Sequence, residues 1–404
     1  VECHVFYVLP PTKIVNGIHN VTRAAINPDL LHWARQRAGL DASELEARFP
    51  KLSTWEKGEA QPTLKQLEAF AKAVYVPIGY LFLPQPPQEP LPIPDFRTFS
   101  GRVLARPSPN LLDMIYTCQE RQSWYREFTQ TTRRPSLEFV GSATLDMAPE
   151  RVAEAMRAIL GFSVEARRDC PTWAEALRLF IRQADNIGVL VMVSGVALSN
   201  NRRILDEKEF CGFALADSLA PLIFINGTST KSAQMFTLAH ELAHLWLGSS
   251  ALSNVSAQPA SGFKKEEVWC NQVAAELLVP LASIRAELND SEELNHALNR
   301  LARHFKVSTL VILRRLLDAK WFSRHEFESA WESETRRLRE IVRSSSGGGN
   351  FYYTTITRVS RRFAQALVVS TLEGQTLFRD AFRMLGISKT TTFENLGREV
   401  GVLP

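Results

Sequence analysis

Along most of this chain apolar residues recur every three to four positions, the spacing of helices, and only a few short runs read as strands. Leu30, Leu31, Trp33, Ala34 and Ala38 predict a first helix closing at Gly39, with Pro28 in its first turn and Asn27 or Asp29 as cap. Shorter helices are expected over 41–49, 51–58 and 62–76, the last with Leu64, Leu67, Phe70, Ala71 and Val74 on its inner face. Longer amphipathic helices are predicted over 110–131, 149–160 and 172–184. Residues 189–193, 212–215 and 222–225 are apolar runs with the length and composition of buried strands. Over 231–248, Met235, Phe236, Leu238, Leu242, Leu245, Trp246 and Leu247 cover most of a helix circumference, as in a domain core, and Gly248 is its stop signal. A helix over 266–279 is ended by Pro280. Residues 301–316 read as two helices around a turn at 306–308, the second bearing Arg314 and Arg315. Beyond a flexible Ser–Gly run at 344–349, helices are expected near 358–372 and 377–385.

Punctuation and composition then divide and bound the chain. Residues 84–94, PQPPQEPLPIP, make a stiff extended spacer, which Tyr80, Leu81 and Phe82 anchor to the helices before it. A length of 404 residues implies two or three domains. The 45% hydrophobic and 22% charged content is that of a soluble globular protein. No apolar run is long enough to span a bilayer, and the short apolar patch from His4 to Leu9 lacks the basic flank of a signal peptide. Five scattered cysteines without a C-x-x-C pair suggest reduced thiols, so a cytoplasmic location without membrane contact is expected. A net charge of +4 permits nucleic-acid contact without requiring it. Arg358, Arg361, Arg362, Arg379 and Arg383 make the end of the chain basic, as a solvated face or a contact for an acidic partner or nucleic acid.

The chemistry is concentrated in His240, Glu241, Leu242, Ala243 and His244, an H-E-x-x-H pattern on a helix. Positions i and i+4 share one helix face, so both imidazoles can reach a single tetrahedral zinc ion. Glu241 then stands beside the ion, placed to take a proton from water. Two histidines and a glutamate on so apolar a helix are unfavourable unless something satisfies them. The competing reading is a buried helix whose histidines bond to backbone. A peptidase site needs a third ligand, and Glu267 shares a stripe with Asn271, Ala274 and Leu278 on the next helix. Glu266 and Glu276 compete for that role and are expected on solvated faces. Asn271 is either the outer partner of a ligand or a helix-packing amide. Cys270 is read as a small packing residue.

These residues resemble a known family. FTLAHELAH, then E-x-x-C-N (Glu267, Cys270, Asn271), then AAELLVP are similar to the ImmA/IrrE zinc metallopeptidases, and FCGFALADSLAPLIFIN resembles the strands before that family's active helix. The resemblance covers roughly 150–290 and implies His240, His244 and Glu267 as zinc ligands and Glu241 as catalytic base. Ala243 stands where the family usually has glycine, and Val279 where methionine is common. Upstream, WEKGEAQPTLKQLEAFAKA resembles the closing half of a repressor-type (XRE/Cro-like) helix-turn-helix domain. Its recognition element is short, leaving Arg48, Lys51, Ser53, Thr54 and Lys57 to touch phosphates, which position a protein but read no sequence. The alternative is a dimerisation or partner-docking domain. YVPIGYLFLPQPP followed by DFRTF resembles the junction in repressor–peptidase fusions of this type, and 301–316 resembles a second helix-turn-helix or an ordinary hairpin packed on the peptidase.

The expected fold is α+β and mainly helical: a helix-turn-helix bundle, a zincin-like core with a small sheet, and a helical C-terminal region. The expected boundaries are an extension over 1–24, the helix-turn-helix-like domain over 25–83, the linker over 84–98 and a metallopeptidase domain with helical lead-in over 99–290. A helical segment over 291–343 and a basic helical unit over 350–404 follow. The strand before the zinc helix, with Ile223, Ile225 and Asn226, is expected to offer its edge to an extended peptide. The function implied is zinc-dependent (Zn2+) cleavage of a regulatory protein, a repressor or a toxin–antitoxin partner, in response to a signal. The alternative is a regulator or antitoxin that binds operator DNA and a toxin, its zinc site idle or structural. A homodimer is compatible with either.

Overall fold

Asn27 opens the first described helix by accepting from the Asp29 amide at 3.0 Å, with Pro28 at a position where its missing N–H is not needed. A computed structural model describes residues 23–95, 107–253, 264–289, 291–341 and 351–404. The patch from His4 to Leu9, the residues of DFRTF after Asp95, and the Ser–Gly run at 344–349 lie outside them. The chain forms two compact units, Val1–Pro90 and Leu91–Pro404.

In the first unit, α1 (Pro28–Arg37), α2 (Ala42–Arg48), α3 (Leu52–Glu56) and α4 (Leu64–Ala73) enclose Leu30, Leu31, Leu52, Trp55, Leu67 and Phe70. Thr63 and Gln66 form a reciprocal capping box that starts α4. Leu64, expected on the inner face, is instead 47% exposed, because it is the residue next to that cap at the rim of the bundle. Arg35 pairs with Glu56 at 2.9 Å and ties α1 to α3. Arg37 grips Glu89 through Nη2 at 2.7 Å, which lays the proline-rich segment against α1.

The second unit begins with α5 (Pro109–Thr131), α6 (Pro149–Leu160), α7 (Val164–Arg168) and α8 (Trp173–Asn186). The sheet and its two central helices come next: β1 (Leu190–Ser194), β2 (Gly212–Leu215), β3 (Leu222–Asn226), α9 (Lys231–Leu247), β4 (Ala251–Ser253) and α10 (Lys265–Leu278). Then come α11 (Leu281–Ala286), α12 (Leu294–Phe305), α13 (Thr309–Asp318), α14 (Arg324–Ile341), α15 (Phe351–Val359), α16 (Arg361–Leu372), α17 (Phe378–Leu385) and α18 (Thr390–Glu399). The strand order is β1-β3-β2-β4, with β1 parallel to β3 and the other pairs antiparallel.

Alternation along the strands divides them between two cores. Val191, Val193, Ala214, Ile223 and Ile225 face the cluster built with α6, α8, α9, α10, α12 and α13. Leu190, Met192, Phe213, Leu215, Leu222, Phe224 and Leu252 face the cluster built with α5 and α15–α18. Helices therefore cover both faces of the sheet, and this is why its strands are apolar throughout rather than alternating. The same fact corrects the expectation for residues 222–226. β3 lies between β1 and β2, so Ile223, Ile225 and Asn226 are interior and present no free edge. The edge strands are β1 and β4, and β4 was not foreseen because it is only three residues long. Its outer side is met by Pro94 and Asp95: the Leu252 amide donates to the Pro94 carbonyl at 3.0 Å.

The hairpin of α12 and α13 packs into the first core and turns Arg315 inward. There Arg315 pairs with Glu276, which is buried and not, as expected, on a solvated face. Ser360, in a left-handed conformation at φ 70°, separates α15 from α16, caps the latter, and donates from Oγ to Asp185 at 3.0 Å. Burial pushes the Asp185 carboxyl up to about 7 despite the Ser360 hydroxyl and the Arg362 charge. The folded chain thus holds this proton while the unfolded chain has released it, so the group's contribution is lost as pH rises from about 4 to about 7. Asp185→Asn is expected to be more stable than the parent at pH 8, with the difference vanishing near pH 4. Urea denaturation at both pH values checks this, and a pH-independent difference would contradict it.

Candidate metal centre

α9 is fixed at both ends before any chemistry is considered. Thr230 caps its start by accepting from the Ala233 amide at 3.3 Å, and Gln234 donates to the Gly227 and Ser229 carbonyls at 3.1 and 2.6 Å. Gly248 ends it at φ 71°, a conformation that suits glycine. Between these ends, the apolar circumference buries every residue from Gln234 to Trp246. His240, Glu241 and His244 are carried into the core with them.

His240, His244 and Glu267 offer donor atoms that all lie within 4.8 Å of one another. His240 Nε2 is 3.1 Å from His244 Nε2, and the Glu267 oxygens are 3.0 Å from His244 Nε2 and 3.4 Å from His240 Nε2. A tetrahedral zinc with bonds of 2.0–2.1 Å requires ligand atoms about 3.3 Å apart. The two other ring nitrogens are occupied from behind. His240 Nδ1 donates to Asn271 Oδ1 at 3.1 Å, and His244 Nδ1 to Glu266 Oε1 at 3.3 Å. That pattern assigns the protons to Nδ1 and turns both Nε2 lone pairs towards the Glu267 carboxylate. Three electron-rich atoms in this arrangement repel one another, and a divalent cation among them removes the repulsion. The residues therefore fit zinc.

Burial raises the Glu267 carboxyl, but positive charge and donated hydrogen bonds from His240 and His244 outweigh it and hold it down to about 2, a stabilisation that a cation among the three groups would supply in place of ring protons. Glu241 is fully buried, and neither of its oxygens has a hydrogen-bond partner among the described residues. Burial, opposed by His244 and reinforced by the charge of Glu267, pushes its carboxyl up to about 8. An ionisable group so placed is a proton acceptor near neutral pH. The buried Ser253 hydroxyl on β4 opposes that rise slightly without forming a hydrogen bond of ordinary geometry.

Two positioning features were not legible in sequence. Gly212 on β2 lies under Glu241: a Cβ there would stand 2.7 Å from Thr237 Cγ2, 2.8 Å from the Phe224 carbonyl and 3.3 Å from Glu241 Oε1. Glu266 was expected in solvent but accepts from both His244 and the Ser249 hydroxyl. Of the two roles open to Asn271, its amide oxygen takes that of partner to His240. Asn226 shapes the turn into α9, donating to the Phe210 carbonyl at 3.1 Å and accepting from Thr228 Oγ1 at 2.7 Å. Cys270 is a buried free thiol in the core beside the site. In the other unit, Arg48, Lys51 and Lys57 are exposed around α3, Ser53 and Thr54 are half-buried, and the Thr54 hydroxyl is used on the Lys51 carbonyl at 2.7 Å.

Residues 184–317 match the family model of the IrrE N-terminal-like domain. That segment is similar to a zincin-like peptidase of the ImmA/IrrE type. It contains the whole His240–His244–Glu267 cluster, and with it zinc is the expected ion. Residues 359–399 match a domain of unknown function, DUF8813. No curated protein and no solved structure matches the chain. Among the described residues no helix is long and apolar enough to cross a membrane.

Since Asn271 and Glu266 orient the two imidazoles, Asn271→Ala and Glu266→Ala are each expected to weaken zinc binding by about 10–100-fold. Competition with a chromophoric chelator measures this, and unchanged affinity in both variants would remove them from the site. Gly212→Ala is expected to push back Thr237 and the Phe224 carbonyl and through them disturb the seat of Glu241, so peptide turnover should fall at least tenfold while zinc content, read by metal analysis, is retained.

Proposed function

We propose that this chain is a zinc-dependent endopeptidase of the ImmA/IrrE type coupled to a repressor-like N-terminal unit. Its substrate would be a regulatory protein, such as a repressor or a toxin–antitoxin partner. The observation that carries the reading is Glu241, a buried carboxyl without a hydrogen bond among the described residues, next to two histidines and a glutamate whose donor atoms are spaced for a tetrahedral ion. His240, His244 and Glu267 would hold the ion. When bound, zinc supplies a Lewis acid for the scissile carbonyl and favours ionisation of water.

The remaining steps belong to the protein. Glu241 accepts a proton from the attacking water and returns it to the leaving amine. A carboxyl raised towards neutrality by burial suits both transfers, because neither protonation state is strongly preferred. Asn271 and Glu266 keep the imidazoles from turning away, and Gly212 leaves room for the carboxylate. β4 is the strand edge nearest this chemistry through Ser253, and an extended substrate would have to reach it. Its outer side is already engaged by Pro94, which supports an enzyme that is latent until that contact is released.

The first unit would bring the peptidase to its target. The exposed side chains of Arg48, Lys51 and Lys57 support contact with DNA phosphates or an acidic partner, with operator DNA as one candidate. The second reading, a regulator or antitoxin with an idle zinc site, draws on the same latency.

The deciding experiment incubates the protein with proteins that copurify with it, with and without chelator. Chelator-sensitive cleavage that disappears in Glu241→Gln, while zinc content is retained, is the expected result. A stable complex without cleavage, indifferent to Glu241→Gln, would replace the enzyme with the binding protein.

A further inference from the structure

A cavity of about 260 Å³ lies at the carboxyl end of β1, away from the metal centre, where α5, α15 and α17 converge. Its walls include Thr117, Glu120, Arg121, Ser199, Arg358 and Arg383. Arg121 is the unusual member of this wall. It sits on the buried stripe of α5 that also carries Ile115 and Cys118, and it is only 6% exposed. A buried guanidinium normally meets a carboxylate, as Arg315 meets Glu276 and Arg203 meets Asp113. Arg121 meets none. Its Nε donates to the Met384 carbonyl at 3.0 Å, and its Nη1 to the Arg358 carbonyl at 3.4 Å and Met192 Sδ at 3.5 Å. The two carbonyls belong to the last turns of α17 and α15, so two helix ends hold the plane of the guanidinium. Nη2 makes no hydrogen bond among the described residues and is left to the cavity.

The other donors are similarly uncommitted. The Arg358 guanidinium is half-buried and has no hydrogen bond or ion pair among the described residues. The Thr117 and Ser199 hydroxyls line the same space and bond to nothing else in it. Glu120 is the one carboxylate in the wall, and it is turned to Arg383 at the rim. One anchored guanidinium, a second without a partner among the described residues, and two hydroxyls thus face a small space whose one carboxylate, Glu120, is turned to Arg383.

We propose that this cavity binds a small oxyanion of the phosphate class, held between Arg121 and Arg358 with Thr117 and Ser199 as further donors. A planar guanidinium anchored on its other edge is preorganised for such a group, since little side-chain freedom remains to be lost on binding. The bound anion would join α5, α15 and the end of β1, and so fasten the C-terminal helices to the sheet. This reading does not depend on the metal centre.

Thermal unfolding of the full chain in inorganic phosphate, against sodium chloride and sodium acetate at matched ionic strength, tests it. Phosphate alone is expected to raise Tm, by about 2 °C or more at saturation. Arg358→Gln should abolish the phosphate-dependent rise, whatever its own Tm. Glu120→Gln, which removes the one carboxylate in the wall and its pairing with Arg383, should lower the half-saturating phosphate concentration several-fold. An equal rise in chloride or acetate, or a phosphate response that survives Arg358→Gln, would overturn the proposal.

Discussion

Three lone-pair donors forced to within about 3 Å of one another in a dry core set the conditions for much of this structure. In water such atoms would be solvated separately. Here each must be held in place by something behind it. Asn271 and Glu266 serve the two imidazoles, and both come from α10, the helix that also supplies Glu267. The centre is therefore a contract between two helices only. It requires α9 and α10 to pack closely, and buried Ala239, Ala243, Ala274 and Cys270 are small enough to allow this.

If α10 carries so much of the centre, its own position has to be secured. Its last turn is gripped by three arginines from elsewhere in the unit. Arg157 donates to the Glu276 carbonyl at 2.7 Å, Arg167 to the Leu278 carbonyl, and Arg315 to the Val279 carbonyl at 2.8 Å. These cations meet the negative end of the helix dipole and satisfy carbonyls that the helix itself leaves unpaired. Arg315 also pairs with Glu276, which connects the α12–α13 hairpin directly to the helix that bears Glu267. The hairpin is in this way part of the support of the metal centre, and its inward arginine is not available to a nucleic acid.

The sheet explains why the unit extends well beyond the segment resembling a peptidase. One face of the strands is covered by α9 and its neighbours, but Phe213, Phe224 and Leu252 point the other way. Without α5 and α15–α18 those aromatic and aliphatic groups would be bare, a patch that soluble proteins rarely leave exposed. The region matching a domain of unknown function thus shares with α5 and α15 the covering of this second face of the sheet. Of its arginines, Arg362 donates to the Asp185 and Asn186 carbonyls at 2.6 and 3.1 Å, whereas Arg361, Arg379 and Arg383 are exposed, as expected of a solvated face.

What the sequence determined by itself was what depends on short-range periodicity. The helices and several of their ends follow from spacing and from residues such as Asn27 and Gly248, and the i, i+4 geometry of His240 and His244 is a property of any helix. Glu267 and Asn271 were legible for the same reason, since both lie on one stripe of a single helix. Tertiary structure alone decided the rest. Whether Leu222–Asn226 was an edge or a centre depended on partners far along the chain, as did the burial of Glu276 by Arg315. The role of Gly212 could not be read because the groups a side chain there would strike, Thr237 and the Phe224 carbonyl with Glu241 just beyond them, are brought over it only when helix and sheet pack. Local pattern encodes which atoms a segment can present. What those atoms meet is set by contacts between distant segments, for which one sequence carries no periodic signal.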